Sequence, residues 1–221
     1  MKSIVTTSKE ILNFALSKGR VLNESLELLS KAGIQIIPDD INSRKLVISD
    51  TERRYRFFLL KPVDVPTYVE YGVADVGIAG RDVLMESNAD IHQPLDLRIG
   101  CCKMVVAAPK AKAQQDYKAL SSVRIATKYP RITTEYFTGR GVPVEIITLS
   151  GSVELAPLLG LSDRIVDLVA TGRTLSDNGL EIVETISEIS ARFVVNRASY
   201  QVKRREITAM IDKLAKVSDE A

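Results

Sequence analysis

Short apolar runs alternate along the chain with segments whose apolar residues recur three or four positions apart. The runs predict strands and the spaced segments predict helices. Because the two alternate, the pattern predicts parallel or mixed sheets with helices on their faces, which is an α/β fold. The predicted strands are Leu12–Leu16, Leu46–Ile48, Arg56–Leu60, Val76–Ala79, Met104–Ala108, Val123–Thr127, Val144–Leu149, Ile165–Ala170 and Ala191–Asn196. The predicted helices are Val21–Ala32, Asp64–Tyr71, Arg81–Glu86, Ile132–Thr138, Ser152–Leu159 and a C-terminal amphipathic helix within Ser199–Val217.

Two interruptions of this pattern indicate a division into two lobes. The composition changes between Asp90 and Gly100, where Pro94 marks a break, and this segment predicts a crossing from one lobe to the other. The run Glu181–Ile189 predicts the return. We therefore predict a first lobe of residues 1–97 with 185–221 and a second lobe of residues 98–184.

The composition excludes several classes of function. The 221 residues include 30 Lys and Arg against 28 Asp and Glu, a net charge of +2, and 45% are apolar, as in ordinary globular proteins. This near-neutral balance argues against a nucleic-acid partner. A single histidine, His92, with Cys101 and Cys102, argues against a zinc site built from Cys and His and leaves any catalytic triad dependent on His92. We expect His92 to have no catalytic part and the cysteines to pack beside a strand.

The sequence also argues against a membrane protein. It contains no run of about 18 apolar residues, so we expect no membrane span. Residues Met1–Glu10 lack the apolar stretch of a signal peptide. We therefore expect a protein of the reducing cytoplasm.

Four segments share one arrangement, in which an apolar strand is followed by a turn of small residues and then by a helix. Such turns lie at the carboxyl ends of strands, where α/β proteins bind ligands. Glycine allows a close backbone approach, and a helix start presents amides to an anion. Three of the turns also carry Arg or Lys, which together predicts a site for a phosphorylated small molecule. The segments are Phe14–Arg20, Val76–Asp82, Ile147–Ser152 and Val169–Thr174.

The last of these turns is the most informative. Asp167 precedes the hydroxyl-rich run Thr171-Gly172-Arg173-Thr174. The amides and hydroxyls of Thr171–Thr174 can bind a 5′-phosphate, while the Asp167 carboxylate accepts hydrogen bonds from ribose hydroxyls. The alternative is a threonine cap at an ordinary helix start. Neither GxxxxGK[ST] nor GxGxxG occurs, which removes the usual support for P-loop and dinucleotide folds.

Five blocks of the sequence, in this order, resemble the catalytic subunit of the ATP phosphoribosyltransferase family, from about Leu12 to the C-terminal helix. Salvage phosphoribosyltransferases have two consecutive acids before Thr-Gly, whereas this chain has Asp167 and then Ala170, which suits the histidine-pathway family. The blocks are Ala15–Arg20, Ala74–Asp82, Ile125–Pro130, Ser150–Glu154 and Asp167–Leu180.

The resemblance implies an architecture and a set of partners. The family fold is two α/β lobes similar to type II periplasmic binding proteins, with the active site in the cleft between them. The chain resembles the short form, which lacks the regulatory domain at the C-terminus. Short-form subunits form homodimers within a hetero-octamer, together with a regulatory subunit related to histidyl-tRNA synthetase.

The resemblance also implies a reaction. N1 of ATP attacks C1′ of 5-phosphoribosyl 1-diphosphate (PRPP), which releases pyrophosphate and gives N1-(5-phosphoribosyl)-ATP. Mg²⁺ arrives on the diphosphate, and its protein ligands are not assigned. The residues assigned to the leaving pyrophosphate are Arg20 and Arg44, supported by Lys18; those assigned to PRPP are Asp167, Ala170, Thr171, Gly172, Arg173, Thr174 and Leu175; those assigned to ATP are Lys128, Arg131, Ser150, Gly151 and Glu154.

Other interpretations remain open at this stage. Arg44, Lys128 and Arg131 also suit solvated loops, and Arg81 with Asp82 suits the start of a helix. A non-catalytic binding module for a solute or small anion would share the fold and bind its ligand without turnover. A salvage phosphoribosyltransferase would use a free base in place of ATP.

Overall fold

The computed structural model describes residues 11–41, 43–116 and 121–219. The chain divides into two compact units: unit 1 comprises Met1–Gly100 and Ala191–Ala221, and unit 2 comprises Cys101–Ser190. The segment Met1–Glu10, whose composition argues against a signal peptide, lies outside the described residues. Within the described ranges, no helix has both the length and the apolar character needed to cross a membrane.

Unit 1 is built on a six-stranded mixed sheet. Its strands are β1 Leu12–Ser17, β2 Val47–Ser49, β3 Tyr55–Leu60, β4 Val76–Gly80, β5 His92–Asp96 and β11 Ala191–Val195. Their order in the sheet is β2-β3-β1-β4-β11-β5. Strand β1 runs parallel to both β3 and β4, whereas β2, β11 and β5 pair antiparallel with their neighbours. The helices are α1 Leu22–Lys31, α2 Pro38–Ile41, α3 Val65–Glu70, α4 Arg81–Ser87, α8 Arg197–Val202 and α9 Arg204–Asp219.

The sheet of unit 1 is covered by helices on both faces. One core joins Phe14, Phe57 and Phe193 of the sheet to Leu29 of α1 and Met210 of α9. A second core joins the opposite face to α3 and α4. Burial on both faces explains why the central strands are nearly continuous apolar runs, which is what made them recognisable in the sequence.

Unit 2 is built on a five-stranded mixed sheet. Its strands are β6 Cys102–Pro109, β7 Val123–Thr127, β8 Val144–Thr148, β9 Arg164–Val169 and β10 Leu180–Ile189; its helices are α5 Pro130–Thr138, α6 Leu155–Leu158 and α7 Arg173–Asp177. The order of the strands in the sheet is β10-β6-β9-β7-β8. Strand β7 runs parallel to β8 and to β9, while β6 pairs antiparallel with β9 and β10. One face packs against α6 and α7, with Ala156 and Leu175 in the core.

The predicted α/β class with mixed sheets flanked by helices is confirmed, and several elements differ from the prediction. The pattern missed β5 and β10 as strands. The predicted helix Ser152–Leu159 begins only at Leu155, because Ser152 has a φ of 48° that no right-handed helix contains. The single C-terminal helix is two helices, and between them Lys203 Nζ lies 2.9 Å from buried Asp75 Oδ2.

The chain passes between the units at 100/101 and again at 190/191. The predicted lobes, 1–97 with 185–221 and 98–184, remain a prediction. Cys102 is buried at the start of β6 and Cys101 is exposed, and neither forms a disulfide.

Candidate active site

Three loops of unit 2 meet at one edge of its sheet. Strands β8, β7 and β9 are neighbours and run parallel, so their carboxyl ends lie at the same edge. The register places Thr127, the last residue of β7, opposite Thr148 of β8 and Val166 of β9. All the residues predicted to bind PRPP or ATP lie on these strands, on the loops that follow them, or in the helices just beyond.

The loop after β9 leads directly into α7. Gly172 adopts a φ of 78°, a conformation that favours glycine, and it precedes the first residue of α7. The first amides of a helix have no carbonyl acceptor within that helix, so those of α7 face the loop without one. The Arg173 amide contacts the Thr171 hydroxyl at 3.4 Å. Thr171, Arg173 and Thr174 are exposed, whereas the Leu175 side chain is buried in the core, so Leu175 can offer a ligand only its backbone.

Asp167 is a half-buried carboxylate three residues before this loop. Its Oδ1 accepts a hydrogen bond from the Leu168 amide at 2.8 Å. Burial raises the pKa of Asp167, and the negative charge of Glu154 adds to this rise, while the Leu168 amide and the positive charge of Lys128 oppose it. The structure therefore brings Asp167 within electrostatic range of Lys128 and Glu154, two residues of other loops that the resemblance assigns to ATP.

The loop after β7 is held by a buried threonine that the sequence analysis did not single out. The Thr127 hydroxyl donates to the Val166 carbonyl at 2.8 Å and accepts from the Tyr129 amide at 2.9 Å. The Thr133 hydroxyl donates to the Tyr129 carbonyl at 2.7 Å. These contacts fix the turn that carries Lys128, whose side chain is exposed. A threonine at the end of an apolar strand is the signal that could have identified this role.

The loop after β8 and helix α5 carry the remaining residues predicted to bind ATP. Ser150 and Gly151 are exposed, and Glu154 is half-buried beside Val153, which is fully buried. Arg131, in the first turn of α5, pairs with Glu135 one turn later. Arg173 forms a comparable exposed pair with Asp177 in α7.

The three residues predicted to contact pyrophosphate lie in unit 1. Lys18 and Arg20 flank Gly19, which has a φ of 90°, in the turn between β1 and α1. The Lys18 amide donates to the Leu60 carbonyl at 2.8 Å, and Arg20 Nη1 donates to the Gly100 carbonyl at 2.7 Å. Arg44 is exposed in the loop before β2, away from that turn in sequence.

Other predicted residues have simpler surroundings. Arg81 and Asp82 form the first turn of α4, and Asp82 is buried. His92 is exposed at the start of β5, where its ring lies edge-on to Tyr200 with the ring centres 5.6 Å apart. In the described part of the chain, no three His, Cys, Asp or Glu side chains are grouped so that they could hold a metal ion.

The fold places the chain in the class of α/β proteins with mixed sheets and strand-end loops, in which ligands bind at the carboxyl ends of strands. The sequence profile of the ATP phosphoribosyltransferase family (HisG) matches residues 61–216. The chain belongs to the ATP phosphoribosyltransferase family. It is a pentosyltransferase of the first step of histidine biosynthesis, and the non-catalytic alternative is not favoured.

Relatives of known name agree along nearly the whole chain. An ATP phosphoribosyltransferase of Acidithiobacillus ferrooxidans is 56% identical over 205 residues, 92% of this chain and 95% of its own. That of Syntrophotalea carbinolica is 51% identical over 209 residues, 94% of this chain and 95% of its own.

Solved structures agree with the sequence comparisons. The ATP phosphoribosyl transferase (HisG:HisZ) complex from Thermotoga maritima contains a chain with a TM-score of 0.82 at 37% identity, covering 96% of this chain and 100% of that one. The periplasmic aliphatic sulphonate binding protein SsuA of Escherichia coli has a TM-score of 0.57 at 13% identity, covering 95% of this chain and 72% of that one. The second likeness shows the fold alone.

Proposed function

We propose that the loop after β9 binds the 5′-phosphate of PRPP and that Asp167 accepts hydrogen bonds from the ribose hydroxyls. The observation that carries this proposal is the half-buried Asp167 carboxylate with a raised pKa, three residues before a loop of exposed hydroxyls and helix-start amides. Desolvation of a carboxylate is unfavourable unless donors compensate it. Two ribose hydroxyls are such donors, because each can donate directly to a carboxylate oxygen.

The loop supplies the matching chemistry for the phosphate. Thr171, Gly172, Arg173 and Thr174 provide amides, hydroxyls and one guanidinium, all of which are donors to phosphate oxygens. Ala170 is exposed at the start of this loop, and Leu175 contributes its backbone, since its side chain is buried in the core.

ATP is assigned to the two neighbouring loops. Lys128 and Arg131 neutralise its phosphates, and Ser150, Gly151 and Glu154 lie near its adenine or ribose. The common edge of β8, β7 and β9 supports this proposal, because it brings these loops beside the proposed PRPP loop.

The reaction places its main electrostatic demand on the leaving group. A bond forms between N1 of ATP and C1′ of PRPP, the bond from C1′ to the diphosphate oxygen breaks, and pyrophosphate leaves with its electron pair. Lys18, Arg20 and Arg44 are proposed to stabilise the charge that develops on that oxygen. Mg²⁺ would arrive on the substrate and would neutralise further charge on the diphosphate, since no three described His, Cys, Asp or Glu side chains are grouped so that they could hold it.

The proposed partner subunits of this chain go beyond its membership of the family. The relative from Thermotoga maritima is a HisG:HisZ complex. We infer that this chain likewise pairs with a regulatory subunit of the HisZ type, forms homodimers, and assembles as a hetero-octamer in the cytoplasm. Size-exclusion chromatography with light scattering on the co-expressed subunits tests the stoichiometry.

Replacement of Asp167 tests the PRPP assignment. We expect Asp167→Ala to raise the KM for PRPP by about 10- to 100-fold, because hydrogen bonds to a charged group are lost, and to change the KM for ATP far less. The measurement is mass-spectrometric detection of phosphoribosyl-ATP from ATP, PRPP and Mg²⁺, with and without the regulatory subunit. Asp212→Ala, at an exposed position on α9, is the matched control. An unchanged KM for PRPP in Asp167→Ala contradicts the ribose assignment.

A further inference from the structure

Residues at the start of α1 and in the turn before it contact Gly100, which is distant in sequence. Arg20 Nη1 donates to the Gly100 carbonyl at 2.7 Å, across 80 positions of sequence. Glu24 Oε2, in the first turn of α1, accepts from the Gly100 amide at 2.9 Å. Between these two residues, Val21 is buried against the same glycine. This short segment therefore contacts both the amide and the carbonyl of Gly100.

The peptide bond between Ile99 and Gly100 is held at both ends. Its N–H donates to Glu24, and its carbonyl, that of Ile99, accepts from the Ala191 amide at 2.9 Å. With this peptide plane fixed, the backbone angles of Gly100 determine where the next carbonyl lies. That next carbonyl is the acceptor for Arg20. Glu24 therefore acts on the position of Arg20 through the Ile99–Gly100 peptide.

Gly100 is the residue type that this arrangement requires. Its φ is 59°, in the left-handed region that favours glycine. A Cβ placed on it would lie 2.6 Å from Val21 Cγ1, closer than non-bonded carbon atoms approach. A side chain at position 100 would therefore displace both the turn and the carbonyl that Arg20 contacts.

We propose that Glu24 and Gly100 are positioning residues for Arg20, which hold its guanidinium in the geometry that stabilises the departing pyrophosphate. The proposal rests on the proposed function of Arg20. A flexible, exposed arginine loses side-chain freedom when it binds a ligand, and a carbonyl that already restrains it lowers that cost. The restraint therefore favours the transition state, in which charge on the leaving group is greatest.

A double-mutant cycle tests this coupling in the full chain, assayed together with its regulatory subunit. We expect Arg20→Ala to lower kcat by about 10- to 100-fold and Glu24→Ala to lower it by about three- to tenfold, with a smaller change in the KM for PRPP. Combined with Arg20→Ala, the Glu24→Ala change should cost less than about twofold, because the residue it positions is already gone. Glu24→Gln keeps an acceptor oxygen for the Gly100 amide and should restore most of the rate.

Glu27→Ala is the matched control for the cycle. Glu27 lies on the same helix and pairs with Lys31 at the surface, with its side chain 68% exposed, so its loss should leave kcat unchanged. Calorimetry with Mg²⁺ and inorganic pyrophosphate gives a readout independent of turnover. Arg20→Ala and Glu24→Ala should both weaken pyrophosphate binding, and Glu24→Gln should not.

The outcomes distinguish the proposed role of Arg20 at the leaving group from its proposed positioning by Glu24 and Gly100. An unchanged kcat in Arg20→Ala removes Arg20 from the leaving-group role and contradicts the proposed function. If Arg20→Ala lowers kcat while Glu24→Ala leaves kcat unchanged, or lowers it equally with and without Arg20, the role of Arg20 stands. Either result overturns the positioning proposal. A loss in Glu24→Ala that Glu24→Gln does not restore also overturns it, since the hydrogen bond to Gly100 would then not be the cause.

Substitution of Gly100 provides a second, independent arm. Gly100→Ala should lower kcat at least as much as Glu24→Ala, because both left-handed strain and the collision with Val21 shift the Arg20 acceptor. Gly33→Ala is the control for strain alone: its φ is 80°, and a Cβ there would meet nothing within 4 Å. A loss of stability in both variants with kcat unchanged in both overturns the proposal.

Discussion

Asp167 is a half-buried carboxyl group whose ionised form is disfavoured by its surroundings. Burial raises the pKa of this carboxyl, so the folded protein without ligand favours the protonated form more than the unfolded chain does. In structural carboxylates the usual arrangement is the reverse: Arg124 and Lys112 lower the pKa of Asp163, chiefly through the hydrogen bond from Arg124. The contrast between these two aspartates of unit 2 supports the proposal that Asp167 binds a ligand.

This contrast predicts a pH-dependent effect of Asp167→Asn. A group with a raised pKa in the folded state stabilises the fold at pH values below its ordinary pKa of 3.8, and that contribution is lost as the pH rises through the folded-state pKa. Asparagine cannot ionise, so the variant avoids this loss. We expect Asp167→Asn to match the wild type near the ordinary pKa and to be the more stable protein at neutral pH, measured by urea unfolding without ligand. If the stability difference between Asp167→Asn and the wild type instead grows as the pH falls, the pKa of Asp167 is not raised in the folded protein.

At the scale of elements, the central strands of both sheets were all predicted, whereas the two strands that were missed lie at sheet edges. β5 escaped prediction because it is an exposed edge strand containing Pro94, which an edge tolerates. β10 is also an edge strand, and two register shifts against β6 disrupt its alternation of apolar and polar residues. The loops of unit 2 could be predicted because each follows a recognisable strand. The contacts of Gly100 with Arg20 and Glu24 could not, because they join residues about 80 positions apart without any local pattern.

Strand β4 offers an element-scale prediction about a glycine in one of the four recognised segments. Gly77 lies inside the strand, opposite Ala15 of β1, and a Cβ there would lie 2.9 Å from the Ala15 carbonyl oxygen. We expect Gly77→Ala to lower the free energy of unfolding by about 1–3 kcal/mol, because the backbone of β1 must move. Gly151→Ala, where a Cβ would meet nothing within 4 Å, is the control in the same denaturant titration. Equal stability of the two variants would show that β1 and β4 have room to adjust.

At the scale of the whole molecule, the two units carry different parts of the proposed chemistry. Unit 2 holds the loops assigned to the 5′-phosphate, the ribose and ATP, whereas unit 1 holds Lys18, Arg20 and Arg44, assigned to the pyrophosphate. Ligands that carry only one of these groups can therefore report on one unit at a time.

Thermal unfolding with PRPP, which carries both groups, and with ribose 5-phosphate, which lacks the diphosphate, tests this division. PRPP at about 100 times its Kd should stabilise the protein by about 2.7 kcal/mol, or roughly 5–10 °C in Tm. Ribose 5-phosphate lacks the diphosphate, so its smaller shift should decrease in Asp167→Asn, which loses the contact with the ribose hydroxyls, and persist in Arg20→Ala. The PRPP shift should fall in both variants. A ribose 5-phosphate shift that Arg20→Ala removes and Asp167→Asn keeps would reverse the two assignments.

The continuity of unit 2 has a consequence for biosynthesis on the ribosome. Its sheet is complete once Ile189 has been synthesised, whereas unit 1 still lacks β11, which pairs between β4 and β5 in its sheet. Until the last segment emerges, β4 and β5 have no partner between them, and the face that α9 covers has only α1. Completion of unit 1 therefore waits for the segment that supplies β11, α8 and α9, which is synthesised after unit 2.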